Sequence, residues 1–108
     1  MSYKALGQSS PVAATLTTLY TVPALKETVV STLNICNLST VATTVRVAIR
    51  PAGAAISDEH YILYDLVIPG NETFAKTDGL TLATTDVISV YAELATISFN
   101  LSGNEQDI

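Results

Sequence analysis

The chain has 108 residues, of which 48% are hydrophobic and only 14% charged, with a formal net charge of −5. That length holds one core and one domain, and a charged fraction well below the usual quarter excludes a disordered chain. The five basic residues, Lys4, Lys26, Arg46, Arg50 and Lys76, form no concentrated patch, and the sequence has no Trp and few aromatics. Nucleic-acid binding is therefore not expected, because neutralising phosphates needs dense positive charge and base stacking needs a platform. Surface that is neither charged nor strongly solvated favours self-association, so an oligomer or an assembly subunit is expected. Cys36 is the single cysteine and leaves no intrachain disulfide, which fits folding in a reducing cytosol. No apolar run has the form of a secretory signal or the length of a membrane span, so a soluble chain made in the cytoplasm, with no membrane partner, is expected.

In chain order, residues 1–14 show no periodicity, and Gly7, Ser9, Ser10 and Pro11 mark them as an extended N-terminal arm. The arm is either a frayed end or a tether that orders across a neighbouring subunit. Residues 15–108 form the domain proper. A strand is expected over Thr15–Val22. Val29, Leu33 and Ile35 then alternate with Val30, Thr32 and Asn34, and Val45, Val47 and Ile49 alternate with Thr44, Arg46, Ala48 and Arg50. This period of two marks half-buried strands, and the fifteen Thr with many Val and Ile suit a pleated surface.

After the turn at Pro51-Ala52-Gly53, a short turn of helix is allowed only over residues 52–59. The segment His60–Ile68 breaks the alternation: Ile62, Leu66 and Ile68 share one face while Leu63 and Val67 occupy the other. Two apolar faces fit either a central strand under loops or a strand whose outer face meets another protein. Pro69-Gly70-Asn71, Asp78-Gly79 and Thr84-Thr85-Asp86 punctuate weaker strands at Thr73–Thr77, Gly79–Ala83 and Asp86–Ala92. Ile97, Phe99 and Leu101 alternate with Ser98 and Asn100, and the polar tail 103–108 is expected to be a solvated end. About eight short antiparallel strands at this spacing predict an all-β domain, a β-sandwich or jelly roll.

Residues for catalysis are sparse. His60, the sole histidine, stands beside Asp58 and Glu59 but lacks the spaced partners of a metal or acid–base motif, so a surface loop is expected. Cys36 has no cationic sequence neighbour to activate it and reads as a packed or interface side chain. Carboxylates such as Asp65 and Asp86, Glu72 and Asp78, or Glu93 and Glu105 pair on paper only, because sequence does not give their separation. The five glycines are isolated and build no phosphate loop. The sequons at Asn37, Asn71 and Asn100 are coincidences of a Ser/Thr-rich chain. Arg46 and Arg50, four apart on a strand, point to one face, either to bind a partner's carboxylates or as part of a solvated sheet face. No enzyme, cofactor or metal is expected.

The run Leu19-Tyr20-Thr21-Val22-Pro23-Ala24, followed by residues 29–37, resembles small virion proteins of tailed phages, including those infecting marine and photosynthetic bacteria. The segments 46–53, 60–62, 79–82, 86–92 and 98–101 are similar to that family's recurring segments, so most of the stretch from Leu6 to Glu105 is covered. The resemblance lies in strand and turn wording rather than in an active-site signature. It implies a non-enzymatic virion part, foremost a capsid decoration or cement protein that bridges subunits of the shell. A tail, neck, baseplate or fibre-associated adaptor remains open, though no stalk or repeat follows the last strand. The implied partners are further copies of the chain, with a trimer favoured, and the major capsid protein. Contacts are expected from the arm, through Tyr3, Lys4 and Leu6, and from strand faces, through Arg46, Arg50, Tyr61 and Leu63. A third reading, from fold analogy alone, is a carbohydrate-binding sandwich whose partner is a host glycan.

Overall fold

The computed structural model describes residues 2–108, with side chains from Lys4 onward. Among the described residues nine strands run in chain order: β1 (Ser2–Ser9), β2 (Thr17–Thr21), β3 (Lys26–Asn37), β4 (Thr43–Arg50), β5 (Tyr61–Ile68), β6 (Thr73–Lys76), β7 (Leu80–Leu82), β8 (Val87–Ala92) and β9 (Ile97–Asp107). Single 3-10 turns at Pro51–Gly53 and Asp58–His60 overlap the stretch where a turn of helix was allowed. No helix among the described residues is long and apolar enough to cross a membrane, a statement that does not bear on strand-built membrane barrels.

All strand pairs are antiparallel, in two sheets. One has the order β1-β9-β3-β6, with β7 continuing β6 along the same side of β3. The other has the order β2-β8-β4-β5. Their inner faces bury one core: Val30, Leu33, Ile35, Ile97, Phe99 and Leu101 come from the first sheet, and Val45, Val47, Ile68, Ile88 and Val90 from the second. Two sheets joined face to face by such a core make the expected β-sandwich.

Four expectations are corrected. The supposed arm is β1, paired with β9 from Ser2↔Glu105 to Ser9↔Phe99. Its ladder of main-chain bonds needs no apolar alternation, which is why periodicity missed it. The solvated tail is the second half of β9, with Gly103, Asn104 and Glu105 buried. In β3 a bulge at Ser31 shifts the register between Val30 and Thr32, so Val30 turns inward and Val29 outward, the reverse of simple alternation. Gly103 lies opposite this bulge, where a Cβ would meet the Val29 carbonyl oxygen at 2.2 Å. Finally, β5 is an edge strand rather than a central one, and Tyr64 and Val67 are exposed on it.

Edges carry a common device. Register shifts leave an extra residue in β1 (Leu6), in β2 (Leu19) and at two places in β5, while β6 and β7 are only four and three residues long. Bulged and short edges do not template further strands. Association by strand addition is thereby disfavoured.

Candidate interaction surface

Four connections gather at one end of the sandwich: 10–16, 38–42, 69–72 and 93–96. Backbone hydrogen bonds bring them there: Leu38 N–H donates to the Thr96 carbonyl (2.8 Å), Asn71 N–H to Ser39 (2.8 Å), and Ala14 N–H to Ala92 (2.8 Å). Asn37, almost wholly buried at the end of β3, organises this region. Its Nδ2 donates to the carbonyls of Val41 (2.9 Å) and Ile68 (3.1 Å), while its Oδ1 accepts from Ser39 N–H (3.0 Å). Gly70 permits the closest approach, since a Cβ there would lie 2.2 Å from the Thr40 carbonyl oxygen. Asn71 completes the turn with φ 57, a left-handed value that Asn accepts more readily than most residues.

So fastened, the loops present Val12 (71% exposed), Leu38 (66%), Val41 (57%) and Leu94 to solvent. Glu72 and Glu93 are the only charged residues in the four connections. Several large aliphatic side chains held on one nearly uncharged end suit burial against another protein.

A second polar and aromatic group lies on β4, β5 and β8. The register pairs Val45 with Leu66 and Val47 with Leu63, so Tyr64 and Asp65 together oppose Arg46. Asp65 takes up the extra residue with φ 53. This bulge sets a carboxylate and an aromatic ring beside one guanidinium. Arg46 Nε donates to Asp65 Oδ1 at 2.7 Å, and its Cζ lies 4.3 Å from the Tyr64 ring centroid and 4.7 Å from that of Tyr91. Asp65 pushes the Arg46 guanidinium further up from its ordinary value through that hydrogen bond. Tyr91 is pushed up by burial and then by its hydrogen bond to Glu93. Tyr61 meets Tyr64 edge to face, with centroids 4.9 Å apart and planes at 80°. Asp58, Tyr61 and Tyr64 line a recess of about 430 Å³.

The other end is joined by charge. Glu105, 7% exposed, pairs with Lys4 Nζ at 2.7 Å and accepts a hydrogen bond from the Tyr20 hydroxyl, which also contacts Thr28 Oγ1 at 2.8 Å. Lys4, then Tyr20, hold the Glu105 carboxyl below its ordinary range. Burial and the Glu105 hydrogen bond push Tyr20 up to about 12. Nearby, Asp86 accepts from Ala52 N–H and Ala83 N–H, both at 2.9 Å, and so ties two connections.

The residues singled out from sequence are thus dispersed. Arg46 and Tyr61 join the aromatic group through Tyr64. Arg50 is turned instead onto the carbonyls of Ala54 (2.7 Å) and Gly53 (3.1 Å). Lys4 serves the Glu105 pair, Leu6 and Leu63 pack against the core, and the Tyr3 side chain lies outside the described residues. His60 caps its own turn, its Nδ1 accepting from Ser57 N–H at 3.2 Å. Cys36 is half-buried and free. No group of three metal-ligating side chains occurs among the described residues. Nothing in the hydropathy pattern marks Asn37 as a buried organiser or Tyr64 and Tyr91 as ring partners; the broken alternation around Asp65 is the one signal of them in the sequence. Compared with known proteins, the chain matches no family model, no curated protein and no solved structure.

Proposed function

We propose that this chain is a non-enzymatic structural subunit of a tailed-phage particle, a capsid decoration or cement protein whose apolar loop end seats on neighbouring shell subunits. The observation that carries the reading is the nearly uncharged end, its loops tied by hydrogen bonds, bearing Val12, Leu38, Val41 and Leu94. Blunted sheet edges support it, because they leave loops and side chains as the means of contact. The tailed-phage setting rests on the resemblance read in the sequence of the strand and turn segments alone.

The physical mechanism is linkage. A subunit that binds the assembled lattice better than its free parts stabilises the lattice by mass action, and no chemical step is needed. Preformed loops lower the entropy lost on docking, so a modest apolar area suffices. Several copies around a symmetry axis, a trimer among the options, would multiply that effect.

Quantitative mass spectrometry of purified particles tests the proposal. A lattice-bound cement protein should be present in on the order of hundreds of copies, whereas on the order of ten points to a closed ring at the tail, neck or baseplate. Absence from washed particles would refute a virion role altogether.

A further inference from the structure

We propose that the recess between Asp58, Tyr61 and Tyr64 binds an alkylammonium cation, either the head of a lysine side chain on a partner or a quaternary amine. The site belongs to β5 and the connection before it, apart from the apolar loop end, so it stands independently of the docking reading.

Its walls carry the argument. Tyr61 and Tyr64 are close to perpendicular, at 80°, and form an aromatic corner rather than the open flat platform on which a sugar ring stacks. Aromatic faces are electron-rich and attract cations, most of all cations with a greasy, weakly hydrated shell. One face of Tyr64 holds the Arg46 guanidinium 4.3 Å from its centroid, which shows the ring's attraction for a cation and leaves a further cation only the aromatic surface that Arg46 does not cover. Asp65 neutralises that guanidinium, so Arg46 does not leave the recess positive. Asp58 adds a carboxylate to the lining, and the neighbouring Glu59 lies back on the Ser57 hydroxyl. Among the described residues Asp58 is thus the one carboxylate in the lining, in a chain of net charge −5. An anionic ligand is disfavoured, and a neutral one gains nothing from this charge. At about 430 Å³ the recess lies toward the small end of ligand sites and accommodates a compact head group.

The test is an NMR titration of the full chain, following its amide signals, with tetramethylammonium, n-butylammonium, choline, the neutral choline isostere 3,3-dimethylbutan-1-ol, and methyl glucoside. Cations should shift the amides of Asp58, Tyr61 and Tyr64 and saturate on the order of 1–10 mM. Tighter binding of tetramethylammonium would identify a quaternary amine as the ligand, and tighter binding of n-butylammonium a lysine head. Tyr64→Ala should weaken choline by about tenfold, Tyr64→Phe should retain it, and Asp58→Asn should weaken it several-fold. Equal binding of choline and its neutral isostere would overturn the proposal, as would undiminished affinity in a folded Tyr64→Ala variant. So would saturation by methyl glucoside without saturation by any cation.

Discussion

The two ends of this sandwich are held by opposite chemistry. One is knit by neutral groups, with the Asn37 amide among loop carbonyls and Gly70 against Thr40, and exposes aliphatic side chains. The other also exposes aliphatic side chains, Leu25 and Ile108, but is knit by ions, Lys4 with Glu105 and Lys26 with Asp107, and by the carboxylate of Asp86. Neutral fastening leaves a surface with little charge beyond Glu72 and Glu93 to desolvate when a partner covers it. Ionic fastening suits an end that stays in water, and it makes that end sensitive to pH. On the proposed reading, the end with less charge is the one that meets the shell.

The sharpest way to break the neutral end is Gly70→Ala. Its Cβ would collide with backbone rather than with a yielding side chain, so a loss of about 3 kcal/mol or more is expected in denaturant unfolding. Asn37→Leu comes next, because it strands the Val41 and Ile68 carbonyls and the Ser39 N–H; about 2–3 kcal/mol should be lost. At the ionic end Tyr20→Phe removes a hydrogen bond to a buried carboxylate and should cost about 1.5–3 kcal/mol.

That same substitution tests pH dependence. Tyr20 rises from an ordinary 10.0 to about 12 on folding, so its stabilisation is complete below about pH 10 and is lost as pH climbs through about 12. Tyr20→Phe should flatten the alkaline limb of a stability profile. Glu105 moves the other way: with its folded value depressed, its contribution is complete above the ordinary 4.5 and vanishes as pH falls through the lower folded value. Glu105→Gln should remove that acid limb, while Asn37→Leu should lower stability without changing either slope. The smallest folding effect belongs to Leu38→Ser combined with Val41→Ser, within about 0.5 kcal/mol per site because both side chains are exposed. Binding to particles in a sedimentation assay should nonetheless fall sharply.

Hydrophobic alternation made the sandwich legible where a strand buries one apolar face. Val45 and Val47 and the run Ile97, Phe99, Leu101 are buried as their spacing indicates. It failed where burial is polar. Glu105 and Asn104 are buried in the tail, and hydropathy gives no hint that Lys4 on β1 and Tyr20 on β2 meet Glu105. It failed again at bulges: one extra residue at Ser31 reverses the facing of Val29 and Val30, and the extra residue at Asp65 creates the Arg46 group. The arm illustrates the consequence. Deleting residues 1–10 would leave a frayed-end protein intact, but here it would strip β1 from β9 and uncouple Glu105 from Lys4.

An averaged image of the intact particle tests the central claim most directly. Density for this sandwich should lie on the shell with Val12, Leu38, Val41 and Leu94 facing the capsid subunits and the Lys4–Glu105 end toward solvent. Density with the aliphatic end pointing away from every neighbour, or particles with no such density, would contradict it.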